Sequence, residues 1–311
     1  MLRVLTYHRV APVNNGLMLN PRLISATPET FAQQLAYLAK NYQVVSIEEV
    51  LEAVEKGARL PGRAVLLTFD DAYVDFGEIA WPMLKRYRLP ATLFVPTAYP
   101  DHPERSFWWD LLYRAVTYSS EVDLCDTALG SLPLGTPLQR QMTLRRMQSY
   151  LKTIPYEKAM ELVDAFCARL GNARAAQRSV LSWKELRQLA NDGVALGAHS
   201  RSHAILTQLP SEKVREEVVR SQEDLRREIG RVLPIFCYPN GSHDDRVTKI
   251  LRKEGFRLAF TTLDGHNDLS SAEPLRLRRT NITRRTSLPI FRLRLLRVVS
   301  YVDMWRHRGN Q

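Results

Sequence analysis

Two acids and two histidines in this sequence stand where they could hold a metal ion. Asp70 and Asp71 directly follow a strongly apolar run, so a buried strand is expected to end in paired carboxylates. His199 and His203 follow another apolar segment, and their i,i+4 spacing brings both imidazoles to one side if the segment turns helically. Two imidazoles and one carboxylate can bind zinc and leave a position open for water.

Each segment also has a plain structural alternative. An Asp at a strand end often caps the next helix, and two histidines at this spacing are often incidental. Their joint occurrence favours chemistry, because the carboxyl ends of parallel strands meet at one edge of a sheet. A third segment, residues 236–245, contains Pro-Asn-Gly, which predicts a tight turn. A backbone N–H in such a turn can face a developing oxyanion.

Alternating apolar runs and helical segments predict βα units around a parallel sheet or barrel. Capping boxes at Ser46 with Glu49 and at Ser182 with Glu185 mark two helix starts, and Thr27 before a proline marks another. The predicted strands are residues 3–6, 43–45, 64–69, 91–95, 194–198, 234–238 and 257–262.

The alternation lapses between about residues 101 and 180, where helical segments occur without convincing strands. We interpret this stretch as a helical insertion into a domain spanning residues 1–286, because strand-rich sequence continues beyond it. Residues 287–311 form a basic tail with leucines and valines at helical spacing. Such a helix either lies on an anionic membrane or packs on its own domain with a solvated basic face.

The composition is that of a folded globular protein, with 311 residues, 45% hydrophobic and 25% charged. The net charge of +11 favours anionic partners, but no nucleic-acid-binding motif accompanies it, so we expect no nucleic acid. Three widely separated cysteines provide no disulfide framework. Polar residues follow closely after Met1, which argues against a signal peptide. The expected location is the cytoplasm, at the inner membrane face if the tail binds lipid.

In their order along the chain, the three segments resemble the polysaccharide deacetylase family, the NodB-like carbohydrate esterases. The resemblance runs over residues 1–286. Within the family, the chain is similar to a subgroup with an N-terminal Tyr-His and a Tyr-Pro-Asn-Gly motif. It implies a distorted (β/α) barrel, often of seven strands rather than eight. The implied activity is metal-dependent removal of acetyl from an N-acetylated amino sugar of a polysaccharide, glycan precursor or lipid-linked sugar. Other motifs that carry it are residues 7–10, 60–71, 90–95, 181–186 and 197–203.

The resemblance also implies roles for individual residues. Asp71, His199 and His203 correspond to the ligands of one divalent metal, with Zn²⁺ expected, and Asp70 corresponds to the catalytic base. The backbone N–H of Asn240 corresponds to an oxyanion contact.

Two departures from the family pattern leave roles open. Cys237 stands where the motif has an arginine, so another group must orient Asp70. Arg279 is the candidate, with pairing to a surface acid as the alternative. The Leu-x-His segment that supplies a general acid in many relatives is not evident. His8 is the substitute candidate for the acid or a substrate contact, with a partly buried structural histidine as the alternative.

Substrate contacts are predicted at Tyr238 and Pro239 and at Trp108, whose indole could stack on a sugar ring or pack the insertion. The expected partner is a carbohydrate carrying N-acetyl groups. A deformylase or other deacylase acting on a sugar amine would use the same metal site. A glycan-binding barrel with impaired catalysis is the alternative from another functional class.

Overall fold

The computed structural model describes residues 1–13, 19–102, 105–171 and 178–296. Its internal contacts divide the chain into two compact units. As far as they are described, Met1–Asn15, Pro21–Asp101 and Val180–Gln311 form the first unit, and Gly16–Asn20 and His102–Ser179 form the second. Apart from Trp108, every predicted site residue belongs to the first unit.

The strands of the described residues include all seven that the sequence predicts, with ends that differ by at most two residues. In chain order they are β1 (Leu2–Tyr7), β2 (Arg9–Val10), β3 (Ile24–Ala26), β4 (Gln43–Val45), β5 (Ala64–Phe69), β6 (Thr92–Val95), β7 (Asp123–Thr127), β8 (Gly130–Pro133), β9 (Ala195–Ala198), β10 (Ile235–Cys237), β11 (Leu258–Phe260), β12 (His266–Asn267) and β13 (Thr280–Asn281).

Three helices begin at the caps that the sequence predicts. The side chains of Thr27, Ser46 and Ser182 each accept a hydrogen bond from the N–H three residues on, and both predicted capping boxes are complete. The described helices are α1 (Pro28–Asn41), α2 (Ile47–Lys56), α3 (Trp81–Tyr87), α4 (Trp108–Tyr118), α5 (Pro137–Leu151), α6 (Tyr156–Arg169), α7 (Trp183–Asn191), α8 (Ser211–Ile229), α9 (Asp245–Lys253) and α10 (Leu288–Arg294).

The first unit is built on a parallel sheet with the strand order β11-β10-β9-β6-β5-β1. The segment from Leu277 to Asn281 joins its two edges. Leu277 pairs in parallel with Phe260 of β11, and β13 pairs in parallel with β1. The sheet therefore curls into a ring of seven strands, which confirms the predicted distorted (β/α) barrel.

Alternate residues of the barrel strands face opposite layers. Tyr7 at the end of β1 packs on Phe31 of α1, while Leu2 and Val4 belong to a buried cluster with Phe94 and other apolar side chains from the barrel strands. This period of two is what a strand buried on both sides requires. It also determines which side chains beyond each strand end turn inward.

The inner packing leaves no space for a side chain at Gly197 in β9. A Cβ atom added there would lie 2.6 Å from the Phe94 ring and 2.8 Å from Ile235 Cδ1. We expect Gly197→Ala to lower the free energy of unfolding by about 1–3 kcal/mol, because overpacking forces neighbouring side chains to shift. Urea denaturation followed by fluorescence measures this, with Gly62→Ala as the control because its Cβ would meet no atom within 4 Å. Equal stability of the two variants would contradict this packing.

The second unit consists of α4, α5 and α6 with the antiparallel hairpin β7–β8. Its core includes Leu112, Met147 and Phe166. The expectation of an insertion without strands was wrong, because the hairpin was missed. Leu124 and Leu132 are the buried residues of β7 and β8, so the apolar alternation is too short to indicate a strand.

The predicted tail begins with α10, whose buried Phe291 packs edge-on against Tyr37 of α1. Residues 297–311, the larger part of the tail, lie outside the described residues. Among the residues that are described, no helix combines the length and apolar character needed to cross a membrane. Membrane contact and a cytoplasmic location therefore stay predictions.

Candidate metal centre

The predicted site residues follow the ends of parallel strands in the first unit. His8 comes after β1, Asp70 and Asp71 come after β5, His199 comes after β9, and Tyr238 comes after β10. In a parallel barrel these ends lie at one rim. Residues that are far apart in sequence are thus brought to a common position by strand pairing alone.

Strand alternation gives Asp70 its direction. Thr6 and Thr68 lie side by side, with their hydroxyl oxygens 3.4 Å apart, and His8 and Asp70 follow two residues later, each directly after its strand. The N–H of Asp70 donates to the carbonyl of Tyr7 at 3.0 Å, so strand pairing continues one residue beyond β5. Asp70 therefore enters the barrel mouth as the next inward-facing residue.

Asp71 leaves the strand in a left-handed backbone conformation, with φ at 72°. Its Oδ1 lies 3.1 Å from Nε2 of His203 and 3.5 Å from Nε2 of His199. The centroids of the two imidazole rings are 4.7 Å apart. Asp71 and His199 are both almost fully buried. The structure thus brings together the three residues predicted as metal ligands.

This arrangement fits a divalent cation. The three potential ligand atoms lie within 4.8 Å of one another. Ligand bonds of about 2.0–2.1 Å in a tetrahedral site place neighbouring ligands about 3.4 Å apart, close to the two distances at Asp71. Asp71 Oδ1 is buried and accepts no hydrogen bond of acceptable geometry from the described residues. A buried carboxylate oxygen in this situation is costly unless a cation compensates its charge.

A second contact orients His199 for this role. Its Nδ1 lies 2.8 Å from the carbonyl oxygen of Cys237. Because a carbonyl only accepts, Nδ1 carries a proton, which leaves Nε2 as the nitrogen that can bind a metal. Burial opposes the charged form of His199, but the hydrogen bond to Asp71 and the charge of Asp70 help to raise its pKa well above the usual value, so a cation that binds here displaces the Nε2 proton. Burial lowers the pKa of His203, which favours the neutral imidazole that a metal requires.

Arg279 holds Asp70 through a bidentate pair. Nη1 and Nη2 donate to Oδ1 and Oδ2 of Asp70, both at 2.8 Å. Nε of the same guanidinium donates to the carbonyl of Thr261, and both side chains of the pair are almost fully buried. The contact proposed from sequence is therefore present, and two parallel hydrogen bonds fix the carboxylate in its plane.

The pair controls the ionisation of Asp70. Burial by itself would raise the pKa of this carboxyl, but the charge and hydrogen bonds of Arg279, together with the smaller effects of His199 and His8, more than offset it, and the pKa is lowered to about 2. Asp70 is consequently ionised at neutral pH and available to accept a proton.

Two further groups face Asp70. His8 Nε2 lies 3.9 Å from Oδ2, and the His8 side chain is 27% exposed, so it can reach a bound molecule. The Cys237 thiol lies 3.5 Å from the same oxygen. Asp70, His199 and Cys237 have potential ligand atoms close together, but hydrogen bonds to Arg279 and to the Cys237 carbonyl already engage the first two.

Of the three predicted contact residues in the turn after β10, two are buried and one is exposed. Tyr238 is fully buried, and its hydroxyl donates to the carbonyl of Leu275 at 2.8 Å, which argues against the predicted substrate contact. Pro239 is also buried, so it offers little surface to a ligand. Asn240 is exposed and adopts a left-handed conformation, with φ at 57°.

Trp108 is the first residue of α4 in the second unit. Its indole packs against the buried cluster of that unit and meets Trp109 edge-on, with ring centroids 5.5 Å apart. This placement supports the packing alternative that the sequence left open.

Sequence reasoning missed the residues that anchor Arg279. Thr68 Oγ1 lies 3.3 Å from Arg279 Nη1, and Thr261 provides the carbonyl noted above. Inward alternation along β5 could have identified Thr68. No local pattern could have identified Thr261, because it depends on how the barrel closes.

Comparisons with known proteins all point to one family. A model of the polysaccharide deacetylase family matches residues 57–259. A poly-β-1,6-N-acetyl-D-glucosamine N-deacetylase of Escherichia coli K12 is 37% identical over 83 residues, which is 26% of this chain and 12% of that protein. An enzyme of the same name from Staphylococcus epidermidis is 33% identical over 102 residues, covering 30% of this chain and 35% of that protein. The chain thus matches about a third or less of each relative.

Solved structures match over a greater length. The deacetylase PplD of Streptococcus pyogenes, solved with acetate, has a TM-score of 0.64 at 20% identity and covers 95% of this chain and 98% of its own. IcaB from Ammonifex degensii has a TM-score of 0.62 at 21% identity, with coverages of 95% and 97%. At such identities the likeness shows a common fold.

Proposed function

Because the chain belongs to the polysaccharide deacetylase family, we propose that it is a metal-dependent hydrolase that removes acetyl from an N-acetylated amino sugar of a polysaccharide. The observation that carries the proposal is the convergence of Asp71, His199 and His203 beside a separate buried carboxylate, Asp70. Two imidazoles and one carboxylate suit Zn²⁺, which we propose as the metal. When bound, the ion supplies Lewis acidity and makes water acidic enough to ionise near neutral pH.

Asp70 is the proposed general base. Its ionised carboxylate accepts a proton from the water that attacks the amide carbon, and Arg279 keeps both oxygens in a fixed orientation. The C–N bond then breaks, acetate leaves, and the sugar amine takes up a proton. His8 is the proposed donor, because its Nε2 faces Asp70 from a partly exposed position.

The proposed oxyanion contact is the backbone N–H of Asn240. Asn240 follows β10, and the carboxyl ends of parallel barrel strands lie at one rim, which supports this proposal. Backbone donors suit this role because the fold fixes them before the reaction starts.

The names of the relatives suggest a substrate. Both curated relatives described above are named as acting on poly-β-1,6-N-acetyl-D-glucosamine. We propose a polymer of N-acetylated glucosamine as the substrate class for this chain too. Glycan precursors and lipid-linked sugars carry the same acetamido group, and they remain alternatives within the same chemistry.

Acetate release tests this function. We expect the protein to release acetate from β-1,6-linked N-acetylglucosamine oligomers. A chelator should stop this release, and adding Zn²⁺ back should restore it. Enzymatic measurement of acetate gives the rate, and formate is measured in parallel. Formate release from an N-formylated sugar without acetate release from these oligomers would favour the deformylase alternative. Oligomer binding without release of either acid would favour the impaired glycan-binding barrel.

A further inference from the structure

The loop between His199 and His203 has an unfavourable backbone conformation. Ser200 and His203 both lie in the left-handed region, with φ at 57° and 59°. Non-glycine residues rarely adopt this region, and it persists where surrounding contacts hold it. The two imidazoles can face Asp71 together only while the loop keeps this shape.

Contacts from the end of β6 hold one side of the loop. The N–H of Thr97 donates to the carbonyl of Ser200 at 3.3 Å, and the N–H of Ala98 donates to the carbonyl of Arg201 at 2.9 Å. These bonds occupy carbonyl groups of the loop. They leave its N–H groups to be satisfied from another direction.

Glu217 of α8 meets those N–H groups. Its Oε2 accepts from the N–H of Arg201 at 2.9 Å and from the N–H of Ser202 at 2.8 Å. Its Oε1 accepts from the Ser202 hydroxyl at 2.8 Å. One half-buried carboxylate thus receives three hydrogen bonds from the residues between the two histidines.

The helix that carries Glu217 is itself firmly placed. Val214 and Val218 of α8 are fully buried, and Glu217 lies between them in sequence. A carboxylate on a packed helix provides a fixed reference for the loop, and hydrogen bonds to an ionised acceptor are stronger than neutral ones.

We propose that Glu217 is a positioning residue that holds residues 200–202 in the conformation that keeps His203 directed at Asp71. The inference rests on the proposed metal centre and adds a residue that helps to fix its geometry. His199 depends less on Glu217, because its N–H donates to the Val95 carbonyl and its Nδ1 to the Cys237 carbonyl. The effect of Glu217 is therefore transmitted mainly through His203.

Metal affinity provides a direct test. We expect Glu217→Ala to raise the Kd for Zn²⁺ by about 10- to 100-fold, the usual effect of removing a group that orients a metal ligand. Zn²⁺ is titrated into the metal-free protein against a chromophoric chelator. Glu217→Gln should bind almost as tightly as the parent, because an amide oxygen can accept from both N–H groups and the amide nitrogen can donate to Ser202.

The matched control is Glu216→Ala, one residue earlier on α8. Glu216 pairs with Lys213 and Arg220 on the surface, so its loss should leave the Kd unchanged. Urea unfolding of the metal-free variants separates a positioning role from a general structural one. A structural role would lower stability and leave the Kd of the folded protein as it was.

Two milder variants keep the test decisive if Glu217→Ala does not fold. Glu217→Asp retains the charge but shortens the reach, and Ser202→Ala removes one of the three bonds; each should raise the Kd. Parent-like affinity in Glu217→Ala, or in both milder variants, would overturn the inference while leaving the metal centre intact. Failure of the parent itself to bind Zn²⁺ would overturn the metal centre, and this inference with it.

Discussion

Asp70→Asn is expected to lower kcat/KM for acetate release by about 10²- to 10⁴-fold, the usual contribution of a positioned general base. The amide has nearly the same shape as the carboxylate, but it cannot accept the proton of the attacking water. Asp70 is not among the three proposed ligands, so the variant should still bind one equivalent of metal. Rates from acetate release and metal content by mass spectrometry check both parts.

The comparison for Asp70→Asn is Asp164→Asn, which makes the same change at an exposed position of α6. This control should keep the parent rate. If Asp70→Asn retained full activity at full metal occupancy, Asp70 could not be the base. Loss of bound metal in the same variant would instead place Asp70 among the ligands.

Arg279→Met is expected to reduce the free energy of unfolding by about 3–5 kcal/mol, because it leaves the Asp70 carboxylate buried without its partner. Methionine fills similar space and carries no charge. In the parent, the pKa of Asp70 is about 2, below its unfolded value, so the pair contributes stability above about pH 4. That contribution is lost as the pH falls toward 2.

In Arg279→Met the effect of Asp70 on stability depends on pH in the opposite direction. Burial then dominates, so the pKa of Asp70 in the folded protein rises above its value in the unfolded chain. Stability therefore falls as the pH rises from the unfolded pKa to the folded pKa. Urea unfolding at several pH values measures the difference from the parent. The neighbouring Arg278→Met serves as control, because Arg278 is exposed and donates to the Asp264 carbonyl at the surface. Identical losses in the two variants would contradict a buried pair.

Much of the barrel could be predicted because its strands are short apolar runs between capped helices. The strand from Ala64 to Phe69 is buried on both faces and is therefore an almost continuous apolar run. Such a run predicts a strand without any information on its neighbours. Asp71, His199 and His203 could be selected because each follows such a run. Parallel strands then bring their ends to one rim whatever the separation in sequence.

Contacts that depend on barrel closure could not be predicted in the same way. Arg279 meets Asp70 across 209 positions, through a segment that forms only the two-residue strand β13. Sequence reasoning could name it as a candidate but could not choose between Asp70 and a surface acid. Glu217 gave no signal at all, because it is one of several charged residues on α8.

The most direct test of this account is anomalous diffraction at the zinc edge from crystals of the protein grown with Zn²⁺. We predict one strong peak within about 2.0–2.2 Å of an Asp71 oxygen and of Nε2 in both His199 and His203. Arg279 should still hold Asp70 beside that peak. A map with no peak among these three side chains, or with zinc held elsewhere in the barrel, would contradict the account.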